Sequence, residues 1–484
     1  MQKEQSAAPL YEAVLKYVSD GVVPFHVPGH KQGRGLPEMA SLSGQQLLGM
    51  DVNGMKDLDF IGNPSGVIRE AQMLMARAFH ARRAYFLVNG TTSGVQAMIM
   101  AACEPGSEII IPRNAHKSTF GGIILSGAMP VYVQPQCDRR LGIATGVSLS
   151  DMEMVIKAHP HARAVLVINP SYYGIAADLK AIVNLAHSYD MAVLVDEAHG
   201  AHLYFHPGFP VTAMEAGADM SAASMHKTSG SLTQSSVLLY RSKMIAVERV
   251  KHVLDLTYTS SASYLLMASL DLARKQMALQ GRKLLSQTLQ LARGARDSIN
   301  RIAELYAFGP EMLGKPGCYG FDETKLGIHV AALGISGYQV EDTLRKRFNI
   351  QVEMSDLHNI LAIVTIGDNE LQVRQLVEAL TQLASEAKHK NIPFYFEIPP
   401  PPEMIVSPRD AFYSPTKSVS LQAADGEIAA EMLMAYPPGI PVVLPGERIT
   451  ANMIDYIELL KQQGCALQGT ADPKVNCIRI LGSQ

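Results

Sequence analysis

Two short segments of the chain carry residue types that could do chemistry together. Asp196 ends the apolar run 193–195, and Lys227 follows 31 residues later, directly after His226. A lysine amine can hold an aldehyde as a Schiff base, while a carboxylate can keep a pyridine nitrogen protonated so that the ring accepts electrons. The pair therefore predicts a site for pyridoxal 5′-phosphate (PLP), although each residue alone also fits an ordinary strand-end acid or surface lysine.

A run of glycines and hydroxyl residues, 89–94, supplies a second part of such a site. It lies between a strand pattern, 85–88, and a helical pattern, 95–103. Backbone N–H groups at the start of a helix bind phosphate, and this run has neither the lysine of a Walker loop nor the spacing of a dinucleotide loop. The alternative is an ordinary capped turn. The residues expected to form a phosphate cup are Gly90, Thr91, Thr92 and Ser93.

Three His-Lys pairs compete for the Schiff base, with lysines at positions 31, 117 and 227. Only Lys227 lies after the strand that ends in Asp196 and before another buried strand pattern, where a lysine can reach a ring held by that carboxylate. Ser224 and His226 beside it offer hydrogen bonds to the phosphate, and the small residues 230–236 allow a close approach. Lys227 is therefore the predicted cofactor lysine.

Two polar residues elsewhere in the chain are candidates for the same site. His116 follows the strand pattern 109–111 and could lie flat against a cofactor ring, although a hydrogen-bonded loop histidine would give the same pattern. Ser260 precedes a long helical pattern and could add a phosphate ligand, or simply belong to a capping cluster for that helix. Both remain candidates on sequence grounds.

The elements that must position these residues alternate between strand and helix. Short apolar runs indicate buried parallel strands, separated by helical segments such as 178–187, which Asp178 could cap. Right-handed strand–helix–strand units build a covered, mostly parallel sheet, and ligands bind at the carboxyl ends of its strands. Most candidate site residues follow those ends. The predicted strands are 85–88, 109–111, 131–133, 165–168, 193–195 and 237–240.

Four segments are predicted along the chain, because 484 residues are too many for one ordinary core. An N-terminal arm, 1–30, leads into a large α/β PLP-binding domain, 31–290, which ends in a long helix over about 269–291. A smaller α+β domain, 291–397, follows. Four consecutive prolines then predict a stiff spacer at the start of a C-terminal domain, 398–484.

Composition excludes several classes of function. The net charge of −3 and the pI of about 6.6 give no basic excess for nucleic acid, and no run approaches the ~18 apolar residues of a membrane span. The five cysteines are scattered without a C-x-x-C pair, so neither a metal site nor a disulfide framework is predicted. We expect a cytoplasmic protein without nucleic-acid or membrane partners.

Taken in order, these residues resemble the Orn/Lys/Arg decarboxylase family. The resemblance covers nearly the whole chain and is closest to the short form of the family, similar to the arginine decarboxylases of Gram-positive bacteria. It implies PLP fold type I, the aspartate aminotransferase-like fold. The segments that carry the resemblance are 25–31, 64–68, 89–94, 112–118, 169–174, 195–200, 224–227 and 437–441.

The resemblance also implies roles for the site residues. Lys227 forms the Schiff base with PLP, Asp196 pairs with the pyridine nitrogen, and His116 stacks on the ring. His199 lies under or beside the cofactor. The residues that hold the phosphate or its surroundings are Thr91, Thr92, Ser224 and His226.

The implied reaction is the decarboxylation of a basic amino acid. L-Arginine, giving agmatine and CO2, is the first choice, with lysine and ornithine as alternatives. Lys227 or His226 would return a proton to Cα, and Glu353, Asp356 and Glu447 are candidates by position for binding the substrate's distal cation. The family also implies a homodimer or tetramer with the active site at the subunit interface, rather than the decamers of its larger members.

Two other interpretations remain open. Segment 196–200 also resembles the α-oxoamine synthases, so another fold type I enzyme of that kind, or an aminotransferase, is the first alternative. Release of CO2 without an acyl-CoA would discriminate against it. The second alternative is a catalytically inactive PLP-binding or regulatory relative. The retention of both Lys227 and Asp196 argues against it.

Overall fold

Short buried strands alternate with helices through the first half of the chain, as the hydrophobic pattern predicts. The structure, a computed structural model, describes residues 2–387, 402–435 and 439–482. The chain divides into two units, one made of Met1–Ala101 with Ala192–Ser286 and the other of Ala102–Met191 with Gln287–Gln484. The predicted segment limits at 30 and 290 stay predictions. The limit at 397, the prolines 399–401 and residues 437–438 of the last motif lie outside the described residues.

Four strands lie side by side in the first unit. Arg83–Leu87 and Met220–Ala223 both pair antiparallel with Ser236–Tyr240, which lies between them, and Ala192–Asp196 pairs parallel with Met220–Ala223. Every residue of these strands except Arg83 is buried. Strands covered on both faces need apolar side chains on both, which explains continuous rather than alternating apolar runs.

Three parallel strands belong to the second unit. Glu108–Pro112 lies between Met129–Val133 and Ala164–Ile168 and pairs parallel with both. Because parallel neighbours need a crossover connection, the chain passes through the helix Lys117–Ser126 between the first two of these strands. The predicted α/β fold with a mostly parallel sheet is confirmed.

Smaller antiparallel sheets complete the second unit. The largest has the strand order Tyr306–Ala307, Lys325–His329, Asn359–Ile363 and Met354–Ser355. The others are Cys137–Asp138 with Ile143–Ala144, Ile175–Ala176 with Gly320–Phe321, Thr416–Ser420 with Cys477–Leu481, and Leu433–Ala435 between Ile440–Val443 and Leu467–Gln468.

Two separate apolar cores lie in the later part of the chain. One gathers buried residues between positions 292 and 384, such as Ile328 and Leu380. The other gathers buried residues between positions 421 and 480, such as Ile457 and Ile478. In each core a helix packs on antiparallel strands, which is the layer arrangement of small α+β domains.

The helices begin at residues of the expected types. Asp178 accepts a hydrogen bond from Ala181 N and caps its helix, as predicted.

Among the described residues, no helix combines the length and the apolar run that a membrane crossing needs. The helices are Gln2–Gln5, Pro9–Ser19, Pro37–Ser43, Gln45–Gly49, Val67–Ala78, Gly90–Ala102, Lys117–Ser126, Leu149–Ala158, Leu179–His187, Ala213–Ala216, Met225–Thr228, Val247–Thr257, Tyr264–Ile299, Gly337–Phe348, Glu370–Ser385, Pro408–Tyr413 and Ala451–Gln462.

The helix Tyr264–Ile299 is longer than the predicted 269–291 and has 36 residues. Its early turns contain an ion pair between Asp271 and Arg274, both fully buried, with 2.5 Å between Oδ1 and Nη2. Arg274 also donates to the carbonyl of Gln5 at 2.7 Å. The helix therefore holds the beginning of the chain, a long-range contact that helical periodicity alone does not indicate.

Candidate active site

Asp196 stands at the carboxyl end of its strand, where ligands of α/β sheets bind. It is 7% exposed, and Oδ1 accepts a hydrogen bond from Ala198 N at 3.2 Å. Within the described residues no donor reaches Oδ2. Burial raises the pKa of Asp196, while the Ala198 amide and the charge of Lys227 oppose that shift. A buried carboxylate with one unused oxygen is suited to a cationic partner.

Lys227 lies on the one-turn helix that directly follows the strand Met220–Ala223. Its Nζ is 2.8 Å from Nε2 of His199, which is 3% exposed and follows the strand of Asp196. In the parallel pairing of the two strands, Asp196 is the register partner of Ala222. The sheet register therefore brings the lysine, the histidine and the carboxylate to the same edge.

The predicted phosphate cup is the first turn of the helix Gly90–Ala102. Gly90 has a φ of +70°, in the left-handed region that favours glycine, and its N–H donates to Gln234 O at 2.9 Å. The Ser93 hydroxyl donates back to the Gly90 carbonyl at 2.9 Å. The first N–H groups of a helix have no acceptor within the helix, so those that follow Gly90 are suited to hold an anion.

Thr91 joins this cup to the lysine segment. Its Oγ1 lies 2.6 Å from Ser224 Oγ and 3.1 Å from Ser236 Oγ, and all three residues are buried. Next to Ser224, the Nδ1 atom of His226 is 2.9 Å from Ser235 O. Burial lowers the pKa of His226, against the hydrogen bond to Ser235, and so favours its neutral imidazole. The structure thus brings the cup and the lysine segment together, as predicted.

Two residues of this region are not among the predicted site residues. Ser236 begins a buried strand and bonds to Thr91, and Gln234 adopts a φ of +80° where it accepts the Gly90 N–H. A serine in an otherwise apolar strand pattern is a signal that could have indicated Ser236. Gln234 lies in the segment 230–236 that is expected to allow a close approach, but the sequence does not single it out, because tertiary context decides where a residue other than glycine becomes left-handed.

His116 belongs to the second unit, and Ser260 belongs to the first. His116 caps the helix Lys117–Ser126, and its Nδ1 accepts from Ser118 N at 3.2 Å. Ser260 is exposed on the turn before the long helix. Neither placement shows a contact with a cofactor, so both roles stay predictions.

A cavity of about 240 Å³ lies next to the phosphate cup. Thr259, the neighbour of Ser260, lines this cavity together with Asn89, Ser93 and Gln234. The hydroxyl residues 259–261, which include Ser260, are therefore close to the cup within the first unit, although more than 150 positions separate them from it in the sequence.

The three acids considered for the substrate's distal cation differ in their surroundings. Glu447 is fully buried and pairs with Arg113, with 3.0 Å between Oε2 and Nη2. Burial raises the pKa of Glu447 to about 7, against the effect of Arg113. Asp356 accepts the hydroxyl hydrogen of Tyr173. Glu353 is exposed and stays a candidate.

The residues of the first unit fit PLP. They provide a lysine amine beside a histidine, a buried carboxylate with an unused oxygen, and a helix start with hydroxyl side chains. These groups match the aldehyde, the pyridine nitrogen and the phosphate of the cofactor in turn. Across the described ranges, no group of three or more His, Cys, Asp or Glu residues could hold a metal ion.

Two family models match the chain. One is Orn/Lys/Arg decarboxylase, major domain, over residues 8–372, and the other is Orn/Lys/Arg decarboxylase, C-terminal domain, over residues 395–471. The arginine decarboxylase of Bacillus subtilis is 46% identical over 484 residues, 99% of each chain. The arginine decarboxylase of Bacillus anthracis is 44% identical, covering 99% of this chain and 98% of the relative.

Solved structures share the fold. The lysine decarboxylase of Francisella novicida has a TM-score of 0.86 at 21% identity, covering 99% of this chain and 82% of its own. A serine palmitoyltransferase from Sphingomonas wittichii has a TM-score of 0.56 at 14% identity, covering 74% and 86%. The predicted PLP fold type I is thereby confirmed. With both of its family models matched and nearly half of its residues shared with whole relatives, the chain belongs to the Orn/Lys/Arg decarboxylase family of PLP-dependent enzymes.

Proposed function

We propose that the protein converts L-arginine to agmatine and CO2, with PLP held on Lys227. The observation that carries the proposal is the 2.8 Å contact between Lys227 Nζ and His199 Nε2, on the same sheet edge as the buried Asp196. Arginine is favoured because the relatives of 44–46% identity are arginine decarboxylases. The lysine decarboxylase of Hafnia alvei is 24% identical.

The chain's own residues would divide the work as follows. Bound PLP supplies the electron sink for the charge that loss of CO2 leaves on Cα. Asp196 holds the positive charge of the pyridine nitrogen through Oδ2, which no donor within the described residues occupies. Lys227, positioned by His199, would return a proton to Cα. His226 is the alternative proton donor only after it has itself taken up a proton, because burial favours its neutral form.

The remaining predicted residues bind or orient the cofactor. By analogy with the family, His116 would stack on the ring, and Ser260 would add a hydroxyl from residues 259–261, of which Thr259 lines the cavity. The apolar strands around the site exclude water and favour loss of the substrate's carboxylate charge. The residues that would hold the phosphate are Gly90, Thr91, Thr92, Ser93, Ser224 and His226. Among them, the Thr91 and Ser224 hydroxyls are hydrogen-bonded to each other.

The test is amine and CO2 production from L-arginine, L-lysine and L-ornithine by the PLP-loaded protein. Lys227→Ala should lose the Schiff-base absorbance and lower kcat at least about 1,000-fold. Lys31→Ala and Lys117→Ala, the lysines of the other two His-Lys pairs, are the matched controls and should retain the absorbance. Loss of absorbance in a control instead would reassign the lysine. A bound cofactor without any of the three amines would favour another fold type I reaction.

We also propose a homodimer, with a tetramer as the alternative. The segment 23–42 leaves Val23, Phe25 and Leu42 72%, 95% and 85% exposed. A cluster of large exposed apolar side chains is typical of a surface that another protein covers. A cytoplasmic location is supported by the five cysteines, all of which are free thiols, as a reducing compartment would keep them.

A further inference from the structure

The segment that leads to His116 is held by the C-terminal part of the chain. Arg113 Nη1 donates to Pro441 O at 2.8 Å, and Nη2 donates to Val442 O at 3.2 Å and to Glu447 Oε2 at 3.0 Å. One guanidinium thus binds three acceptors of a single short segment. The planar, rigid fork of arginine is suited to such a contact, because few side-chain conformations satisfy all its bonds together.

A second contact lies on the other side of His116. Lys117 N donates to Gly439 O at 3.1 Å. The helix Lys117–Ser126, which begins there, also packs against the helix Pro408–Tyr413. His116 is therefore flanked on both sides by residues whose positions the C-terminal part of the chain determines.

The ion pair can persist only while both segments stay together. The side chain of Arg113 is 11% exposed and that of Glu447 is fully buried. Removing one partner of a buried pair leaves the other charge without compensation, which is strongly unfavourable. Arg113 also lies 5.4 Å from the centre of the Tyr132 ring, a further constraint on the guanidinium.

We propose that Arg113 and Glu447 are positioning residues through which the C-terminal segment 439–447 fixes the backbone that carries His116. The inference rests on the proposed role of His116 beside the cofactor ring. Arg113 is assigned no contact with the cofactor or the substrate, and Glu447, a candidate by position for the substrate's distal cation, is fully buried against Arg113.

The first test is amide hydrogen exchange of the full-length protein at pH 8, with and without PLP. In Arg113→Met and Glu447→Gln, amides of residues 114–126 should exchange at least about tenfold faster, as expected when a buried pair is broken. Exchange in the helix Ala451–Gln462 should stay unchanged, which shows that the C-terminal domain itself remains folded. Arg113→Lys should restore part of the protection, and it decides the test if the other variants do not fold.

The second test measures the circular dichroism of the bound cofactor and the catalytic rate. In Arg113→Met, the visible circular dichroism of bound PLP should weaken, and kcat should fall about 10- to 100-fold, because a displacement near 1 Å in a site has effects of that size. The absorbance of the Lys227 Schiff base should remain. Arg448→Met removes an exposed ion pair with Glu403, 3.3 Å long, and is the matched control.

Unchanged exchange over 114–126 in both variants, or faster exchange with wild-type dichroism and kcat, would overturn the inference. If the wild-type protein formed no Schiff base, the proposed function would fail. The exchange contrast between Arg113→Met and Arg448→Met would still decide whether the C-terminal segment holds the His116 backbone.

Discussion

At the scale of residues, the adjacent carboxyl groups of Asp196 and Glu197 differ in how many hydrogen bonds they accept. Asp196 uses one oxygen in a single hydrogen bond. Glu197 is fully buried and accepts from the Tyr204 hydroxyl at 2.7 Å, the Ser221 hydroxyl at 2.6 Å and Ala213 N at 2.8 Å. Burial raises the pKa of Glu197 to about 7, although these three donors oppose the shift. Asp196 is therefore the acid that we propose for the cofactor, whereas Glu197 is held by three donors in the core.

Exchanging each of these acids for its amide should separate the two roles. Asp196→Asn removes the charge that we propose faces the pyridine nitrogen, and we expect kcat to fall about 100- to 1,000-fold with the thermal midpoint little changed. Glu197→Gln should instead lower the thermal midpoint, because its three donors lose a carboxylate acceptor. Kinetics and thermal unfolding of both variants check this. An equal loss of kcat in the two would contradict the assignment.

How much of the site the sequence predicts differs from residue to residue. Asp196 can be predicted because it ends a buried strand pattern, and Lys227 because it lies between that strand and the next predicted one. The strand Met220–Ala223, which directly precedes the lysine and pairs with the Asp196 strand, is not among the predicted strands. The sequence could not show whether Glu447 and Asp356 are available to bind the substrate's distal cation. The identity of an acidic residue does not reveal whether a side chain of the protein already pairs with it, as Arg113 and Tyr173 do here. His116 and Ser260 stay predictions, since their contacts depend on more than local pattern.

At the scale of elements, two helical glycines show when the missing side chain matters. A Cβ on Gly94 would lie 2.7 Å from Leu87 Cδ1 and 2.9 Å from Ala222 Cβ, closer than real contacts allow. A Cβ on Gly294 would meet nothing within 4 Å. The first glycine lets its helix pack closely on the strands, whereas the second only weakens its helix.

Alanine at these two positions should therefore have opposite effects. Gly94→Ala overpacks the contact between helix and strands and should lower the free energy of unfolding by about 1–3 kcal/mol. Gly294→Ala should raise it by about 0.5–1 kcal/mol, since alanine is the better helix former. Denaturant unfolding measures both. Stabilisation by Gly94→Ala would show that the contact relaxes at little cost.

The strand Asn359–Ile363 is preceded by a histidine that should make stability depend on pH. His358 is 1% exposed, and burial, together with the charge of His329, lowers its pKa to about 4. Because this is below the value near 6.5 of an unfolded chain, the neutral form is favoured by folding. The neutral His358 therefore contributes fully to the free energy of unfolding above pH 6.5. That contribution, at most about 3 kcal/mol, is lost as the pH falls from 6.5 towards 4.

Replacing this histidine should flatten that dependence. For the wild-type protein we expect the midpoint of urea unfolding to fall between pH 7 and pH 5, and for His358→Gln the fall should be smaller. His80→Gln, in which the lost side chain is 55% exposed, is the matched control and should follow the wild type. Parallel curves for all three proteins would show that His358 does not titrate in this range.

Element limits could be predicted where they depend on local chemistry. Asp178 caps its helix in the structure, and a short Asp side chain is a strong local signal. The long helix reaches beyond its predicted limits to Tyr264, whose hydroxyl donates to Asp59 O at 2.6 Å, and to Ile299, which is buried in an apolar core. Between these ends, Arg274 contacts Gln5. Contacts 269 positions apart leave no trace in a local window of sequence.

At the scale of the whole molecule, the exposed apolar segment should govern assembly. Phe25→Asp places a charge at a side chain that is 95% exposed in the single chain, and we expect the dimer dissociation constant to rise about 10- to 100-fold. Leu256→Asp, at a side chain 76% exposed elsewhere, is the matched control. Sedimentation velocity over a range of concentrations measures the shift. Equal dimerisation of both variants and the wild type would place the interface elsewhere.

The Arg113–Glu447 pair also has a consequence for the timing of protein synthesis. The two residues are 334 positions apart, so a ribosome that adds about 5–20 residues each second makes the arginine roughly 20–70 s before its partner. During that interval the guanidinium stays without its carboxylate. The nascent chain can therefore acquire its lysine and carboxylate pocket early, but the histidine segment becomes fixed only when translation is nearly finished.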